Sequence, residues 1–245
     1  IEKMDDDLAD GVNRTCARGG RVIIPSFALE RAQEIVFALK ILKGEGRLPK
    51  NLRVFVDSPL TVKITDVFKL HPECYDAKTR EGLSGNDSPF DFPELRYVES
   101  AEDSKAISNS DEPSIVISAS GMCEAGRILH HLRGAIEDDK NTILIVGYQA
   151  QHTLGRRLVE KRRRVKIFGV ERDRNADVVV LNGFSAHADQ HDLIEFAEQC
   201  RQRGPLSKIA LVHGDPKPQA VLADLLVERG FERPAIPAPD DVLEI

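Results

Sequence analysis

The feature that most constrains this chain is the alternation of short apolar runs with longer stretches of helical periodicity. Arg21-Val-Ile-Ile-Pro25, Leu52-Arg-Val-Phe-Val56, Ser114-Ile-Val-Ile-Ser118 and the runs 142–146 and 178–181 read as strands. Between them, apolar residues recur at three- and four-residue spacing, as at Leu29, Ala32, Ile35, Val36, Leu39 and Leu42, with Ser26 placed to cap. A second helix is expected over 61–70, and a third on the apolar face Ala125, Ile128, Leu129, Leu132 and Ile136. The alternation predicts an α/β fold, a parallel-rich sheet flanked by helices. Shorter signals add helices at 2–10, 102–110, 154–160, 190–200 and 218–229, and strands at 96–98, 165–168 and 209–212. Residues 81–93 crowd Gly82, Gly85, Asn86, Asp87, Ser88, Pro89 and Pro93 and read as a surface loop. With 245 residues, 41% of them hydrophobic, the chain can bury one large core or two modest ones.

Two histidines stand where apolar runs break into small and acidic residues: Gly183-Phe-Ser185-Ala-His187-Ala-Asp189 and Leu211-Val-His213-Gly-Asp215. The end of a buried strand is the rim of an α/β sheet, where ligands bind. Imidazole there can hold a metal or move a proton near neutral pH, or be a satisfied core residue. Ser118-Ala-Ser120-Gly121-Met122 joins a strand to a helical stretch. Unpaired amides and a glycine suit a phosphate; Ser120 as a cap and Gly121 as a turn residue are the plain alternative. Asp189 fits a first-turn acid on the helix that follows. The densest basic run, Lys161-Arg162-Arg163-Arg164 with Arg156 and Arg157 before it, suits either a solvated helix end or a nucleic-acid backbone.

A net charge of −6 excludes a globally basic nucleic-acid binder, so any polyanion site is a local patch. Four cysteines without C-x-x-C spacing argue against a disulfide scaffold and for reduced thiols, hence a cytoplasmic protein. No apolar run approaches the roughly 20 residues of a membrane span. The chain opens at Ile1 without Met and reads as the middle of a longer polypeptide.

Taken together, Val22 to Glu34, Asp57-Ser-Pro-Leu60, Ser118 to Leu132, Gly183 to Asp189 and Leu211 to Asp215 resemble the C-terminal part of a β-CASP protein of the metallo-β-lactamase superfamily. The resemblance implies a β-CASP domain over residues 1–182. Residues 183–245 would then be the segment that returns to complete a metallo-β-lactamase αββα fold. It implies zinc-dependent hydrolysis of RNA phosphodiesters, with two zinc ions in the full-length protein. His187 would act on the scissile phosphate and the leaving oxygen, and His213 would be a zinc ligand. Ser118, Ser120, Gly121 and Ser185 would contact phosphate, and Arg162 and Arg163 the RNA backbone. The histidine at position 213 favours RNA over DNA. The family's His-x-His-x-Asp-His motif has no counterpart here and is expected N-terminal to Ile1, so this chain alone is expected to be inactive. RNA is the partner implied, no membrane is, and a homodimer is compatible with the resemblance. A non-catalytic β-CASP scaffold and a free-standing phosphate- or nucleotide-binding α/β module are the other readings the residues leave open.

Overall fold

The computed structural model describes residues 2–82, 88–181, 183–184 and 187–243. The chain divides into two compact units, Ile1–Ser185 and Ala186–Ile245. In the first, α1 (Glu2–Ala17) leads into β1 (Val22–Pro25), α2 (Arg31–Gly44), β2 (Arg53–Val56) and α3 (Pro59–Leu70). Next come α4 (Ala77–Gly82), β3 (Leu95–Tyr97), α5 (Ala101–Ser108), β4 (Ser114–Ser118), α6 (Ile128–Ala135) and β5 (Thr142–Ile145). The unit closes with α7 (Leu154–Val159), β6 (Arg164–Ile167), β7 (Val170–Asp173) and β8 (Asp177–Val180). Six strands form one sheet in the order β3-β2-β4-β1-β5-β8, every pairing parallel.

Period-two side-chain alternation builds a core on each face of this sheet. Val22, Ile24, Val54, Val56, Ile115, Ile117 and Leu144 pack with Leu8 and Val12 of α1 and with Ile35, Leu39 and Leu42 of α2. Their neighbours Ile23, Phe55, Val116, Ile143 and Ile145 face the other way, against Ile128 and Leu132 of α6 and Leu154 and Leu158 of α7. Ile23 and Ile24 are both fully buried, each contributing roughly 1.5–3 kcal/mol by leaving water. The helices after β1 and after its neighbours β4 and β5 therefore lie on opposite faces. Loops that part in this way open a crevice at the carboxyl edge of a parallel sheet.

Several expectations are corrected here. The strand expected at 165–168 is present as β6, outside the large sheet. It forms an antiparallel hairpin with β7, and Phe168 and Gly169 at its tip have φ 51° and 76°, the positive values a two-residue hairpin turn needs. Ser26 does not cap α2, which starts five residues later behind Glu30, and Leu29 is exposed rather than on the buried face. The third helix starts at Ile128, not near Ala125, because Gly126 sits at φ 84° and breaks the helical path. Residues 81–82 close α4, 83–87 lie outside the described residues, and Phe90 is buried.

In the second unit, α8 (Gln190–Arg203) and α9 (Pro216–Glu228) pack through Ile194, Ala197 and Leu226, with Phe231 beside them. The strand expected at 209–212 is reduced to a single bridge, Ala210 with Ala235, held by Leu211 N donating to Ala235 O at 2.8 Å and Ala235 N to Ile209 O at 2.9 Å. Among the described residues, no helix is long and apolar enough to cross a membrane.

Candidate functional site

The loops leaving β1, β4 and β5 are tied together at the carboxyl rim of the sheet. Ser26 N donates to Ser118 O at 3.0 Å. Gln149 Nε2, from the loop after β5, donates to Gly121 O at 2.9 Å, and Gly155 N donates to Met122 O at 3.1 Å. Ser120 Oγ accepts from Glu124 N and Ala125 N at 3.2 and 3.3 Å, so its hydroxyl braces the turn from inside. A side chain at 121 would have its Cβ 2.8 Å from the Phe27 ring and 3.1 Å from Phe27 N, so only glycine fits this close approach. Among the described residues, the N–H groups of Gly121 and Met122 have no hydrogen-bond acceptor. Buried N–H groups without an acceptor are rare in folded proteins; Gly121 is buried and Met122 half-buried. Here two consecutive ones occupy a turn where the sequence suggests an anion.

Beneath this turn lies a buried polar network. Asp57, fully buried just past β2, accepts from His131 Nε2 at 2.6 Å, from Ser104 Oγ at 2.6 Å and from Arg127 Nη1 at 2.7 Å. His131 is itself fully buried, and its Nδ1 is 3.0 Å from Ser108 Oγ. Arg127 also donates to the carbonyls of Val98 and Glu99. Burial pushes the Asp57 carboxyl up, but the hydrogen bonds from His131, Ser104 and Arg127 together outweigh it and hold the group below its usual range. Ser118 Oγ donates to Asp57 O at 2.7 Å, which links the network to the end of β4. The sequence reading missed this constellation. Its one legible signal was an aspartate at the end of a buried strand. His130 and His131, adjacent on α6, face different ways: His130 is outside against Phe168, with ring centroids 4.8 Å apart, and His131 is inside.

Ser118, Ser120 and Gly121 are thus together in one loop. Ser118 is 1% exposed, and its hydroxyl hydrogen is committed to Asp57 O. The turn does not open a helix as expected, since six residues lie between Gly121 and Ile128. Arg162 is exposed and shares Glu160 with Arg156. Arg164 pairs with Asp173, whereas Arg163 is exposed with no side-chain partner among the described residues. In the second unit His187 is exposed, two residues before Asp189. Asp189 is the N-cap of α8, its carboxylate accepting from the His191 and Asp192 amides. His213 is exposed, with φ 59°. Ser185 lies outside the described residues. Among those residues, no three His, Cys, Asp or Glu side chains gather to hold a metal ion, so the donor set described here does not by itself fit zinc.

Comparison with known proteins adds what geometry cannot. Residues 32–158 match the Beta-Casp domain model, just over half of the chain, and residues 171–237 match the Zn-dependent metallo-hydrolase RNA specificity domain. A protein of Thermus thermophilus named Ribonuclease TTHA0252 is 35% identical over 222 residues, which is 90% of this chain and 49% of the relative. The Transcription termination factor FttA of Methanocaldococcus jannaschii is 30% identical over 242 residues, 95% of this chain and 37% of the relative. That of Thermococcus kodakarensis is 30% identical over 220 residues, 87% and 33%. The chain therefore spans half or less of the length of these curated relatives.

Proposed function

We propose, since this chain belongs to the Beta-Casp family, that it is the RNA-gripping part of a zinc-dependent ribonuclease. The observation that carries this reading is the pair of amides at Gly121 and Met122 without an acceptor among the described residues, set in the loop at the carboxyl end of β4. Consecutive free N–H groups form a concave donor site suited to a phosphate oxygen. Ser118 and Ser120 shape that turn, and the amides do the donating. Asp57, Arg127 and His131 hold the ends of β2 and β4 at a fixed spacing beneath it. Arg163, exposed and without a side-chain partner among the described residues, adds a cation for the backbone, and Arg162 adds less because Glu160 already neutralises it. RNA as the partner is supported by the RNA-specificity match and by a relative named as a ribonuclease.

His187 takes the role of a proton donor to the leaving oxygen, with Ser185 donating to the same phosphate. The family is zinc-dependent by its description. His213 would contribute one imidazole to a metal set, the rest of which would have to come from outside the described residues. The boundary between the β-CASP domain and the returning segment is placed after residue 182, a reading supported by the division of the chain into units after Ser185. A cytoplasmic location follows from the cysteine pattern, and a homodimer is the assembly to look for.

Two substitutions in the intact protein test this. His187→Ala is expected to slow RNA cleavage by roughly 10²- to 10⁴-fold with RNA affinity retained. His213→Ala is expected to lower bound zinc as well as rate. Unchanged cleavage in His187→Ala, or unchanged zinc content in His213→Ala, would remove the corresponding role.

A further inference from the structure

We infer that Phe27 and Tyr148 form an aromatic platform on which bases of single-stranded RNA stack as its backbone passes the Gly121 turn. This rests on the phosphate-binding reading above and adds to it how bases are held.

The aromatic rings of the first unit are mostly hidden. Phe55, Phe90 and Phe184 are buried, and the half-buried Tyr75 and Tyr97 donate their hydroxyls to the carbonyls of Phe68 and Phe90. Exposed Phe168 has the His130 ring and the Arg133 guanidinium against it. Phe27 is 49% exposed and Tyr148 62% exposed, and Phe27 has no ring or cation partner among the described residues. Both leave the carboxyl ends of β1 and β5, neighbouring parallel strands in register at Val22–Thr142 and Ile23–Ile143. Phe27 borders Gly121 directly, and Gln149, next to Tyr148, is bonded to the Gly121 carbonyl. The two rings therefore stand on loops already fastened to one turn, so little ordering is needed before a base can stack.

The same geometry disfavours an apolar protein partner. Covering these rings with aliphatic side chains would seal the Gly121 and Met122 N–H groups away from any acceptor, which is costly. An RNA strand brings a π-face for each ring and a phosphate oxygen for the amides. Stacking of this kind tolerates any base sequence.

The test measures binding of a single-stranded RNA 12-mer, and of an abasic ribose-phosphate oligomer of equal length, to the intact protein. Phe27→Ala and Tyr148→Ala are each expected to weaken RNA binding roughly 5- to 150-fold. Abasic binding and the salt dependence should stay unchanged, and Phe27→Tyr and Tyr148→Phe should restore RNA affinity. Equal losses on both oligomers, or no loss on RNA, would overturn the platform while leaving the phosphate site standing. A changed oligomeric state in the alanine variants with RNA affinity intact would assign the rings to protein contact instead. No RNA binding by the unsubstituted protein would overturn the underlying reading and the platform together.

Discussion

Asp57→Ala should be among the most destabilising single substitutions in the first unit. The carboxylate accepts three hydrogen bonds of 2.6, 2.6 and 2.7 Å, from His131, Ser104 and Arg127. Truncation leaves His131, which is 0% exposed, and Ser104, which is 6% exposed, with no replacement from solvent. Arg127 keeps the Val98 and Glu99 carbonyls and loses less. Two stranded buried groups at about 1–3 kcal/mol each agree with the roughly 3–5 kcal/mol seen when one partner of a buried charge pair is removed. For a unit of this size, about 2–4 °C per kcal/mol converts that to a fall in Tm of roughly 6–20 °C. Asp57→Asn keeps the shape and one acceptor oxygen and should fall between the two. Thermal unfolding followed by circular dichroism reads the effect, and urea titration should show a lower midpoint at constant slope. The pH dependence follows from the lowered pKa. The unfolded carboxyl titrates near 3.9, so the contribution of Asp57 is fully present above about pH 5. It is lost as pH falls through the unfolded value toward the lower folded one. The Tm gap between the natural chain and Asp57→Ala should therefore be constant from pH 7 to 5 and narrow below pH 4. A Tm change under about 3 °C, or a gap that widens in acid, would refute the network's proposed contribution.

Three further outcomes are expected. Gly155→Ala places a methyl group against the Gln149 amide and 3.1 Å from Met122 O, so it should cost about 1–3 kcal/mol and loosen the Gly121 turn; urea unfolding measures the first effect and RNA affinity the second. Arg163→Ala should lower the slope of log K against log[salt] for single-stranded RNA by about 0.7, and Arg162→Ala by less because Glu160 already compensates that charge. Burial raises the Cys123 thiol far above its ordinary value, whereas Cys74 is exposed, so iodoacetamide at pH 8 should label Cys74 promptly and Cys123 only on unfolding, as read by mass spectrometry.

The central strands were legible because each is a run of β-branched residues buried on both faces, a local property that survives without knowledge of the rest of the chain. The hairpin at 164–173 was not. Its turn carries Phe168 at φ 51°, a residue that reads as the end of a strand and gives none of the Asn-Gly signal of such turns. The start of α6 was misplaced because Ala125 favours helix by itself, while the break is imposed by Gly126, whose Cβ would strike the Ala119 carbonyl across the turn. The Asp57–His131 pair was invisible for a different reason: its members stand 74 residues apart, and only the parallel pairing of β2 with β4 brings their loops together. The Ser118–Met122 loop was singled out correctly as a place, but the expected donors changed. The Ser118 hydroxyl hydrogen is committed to Asp57 O, the Ser120 oxygen braces the turn, and two amides are left over.

The most direct test of the account is RNA affinity in Gly121→Asp compared with Gly121→Ala. Both place the same Cβ against Phe27, but only the aspartate adds a carboxylate, and with it a negative charge, beside the two amides. If the turn holds phosphate, the aspartate variant should bind single-stranded RNA at least tenfold more weakly than the alanine variant at equal thermal stability. Equal affinities in the two variants would contradict the phosphate site and the function built on it.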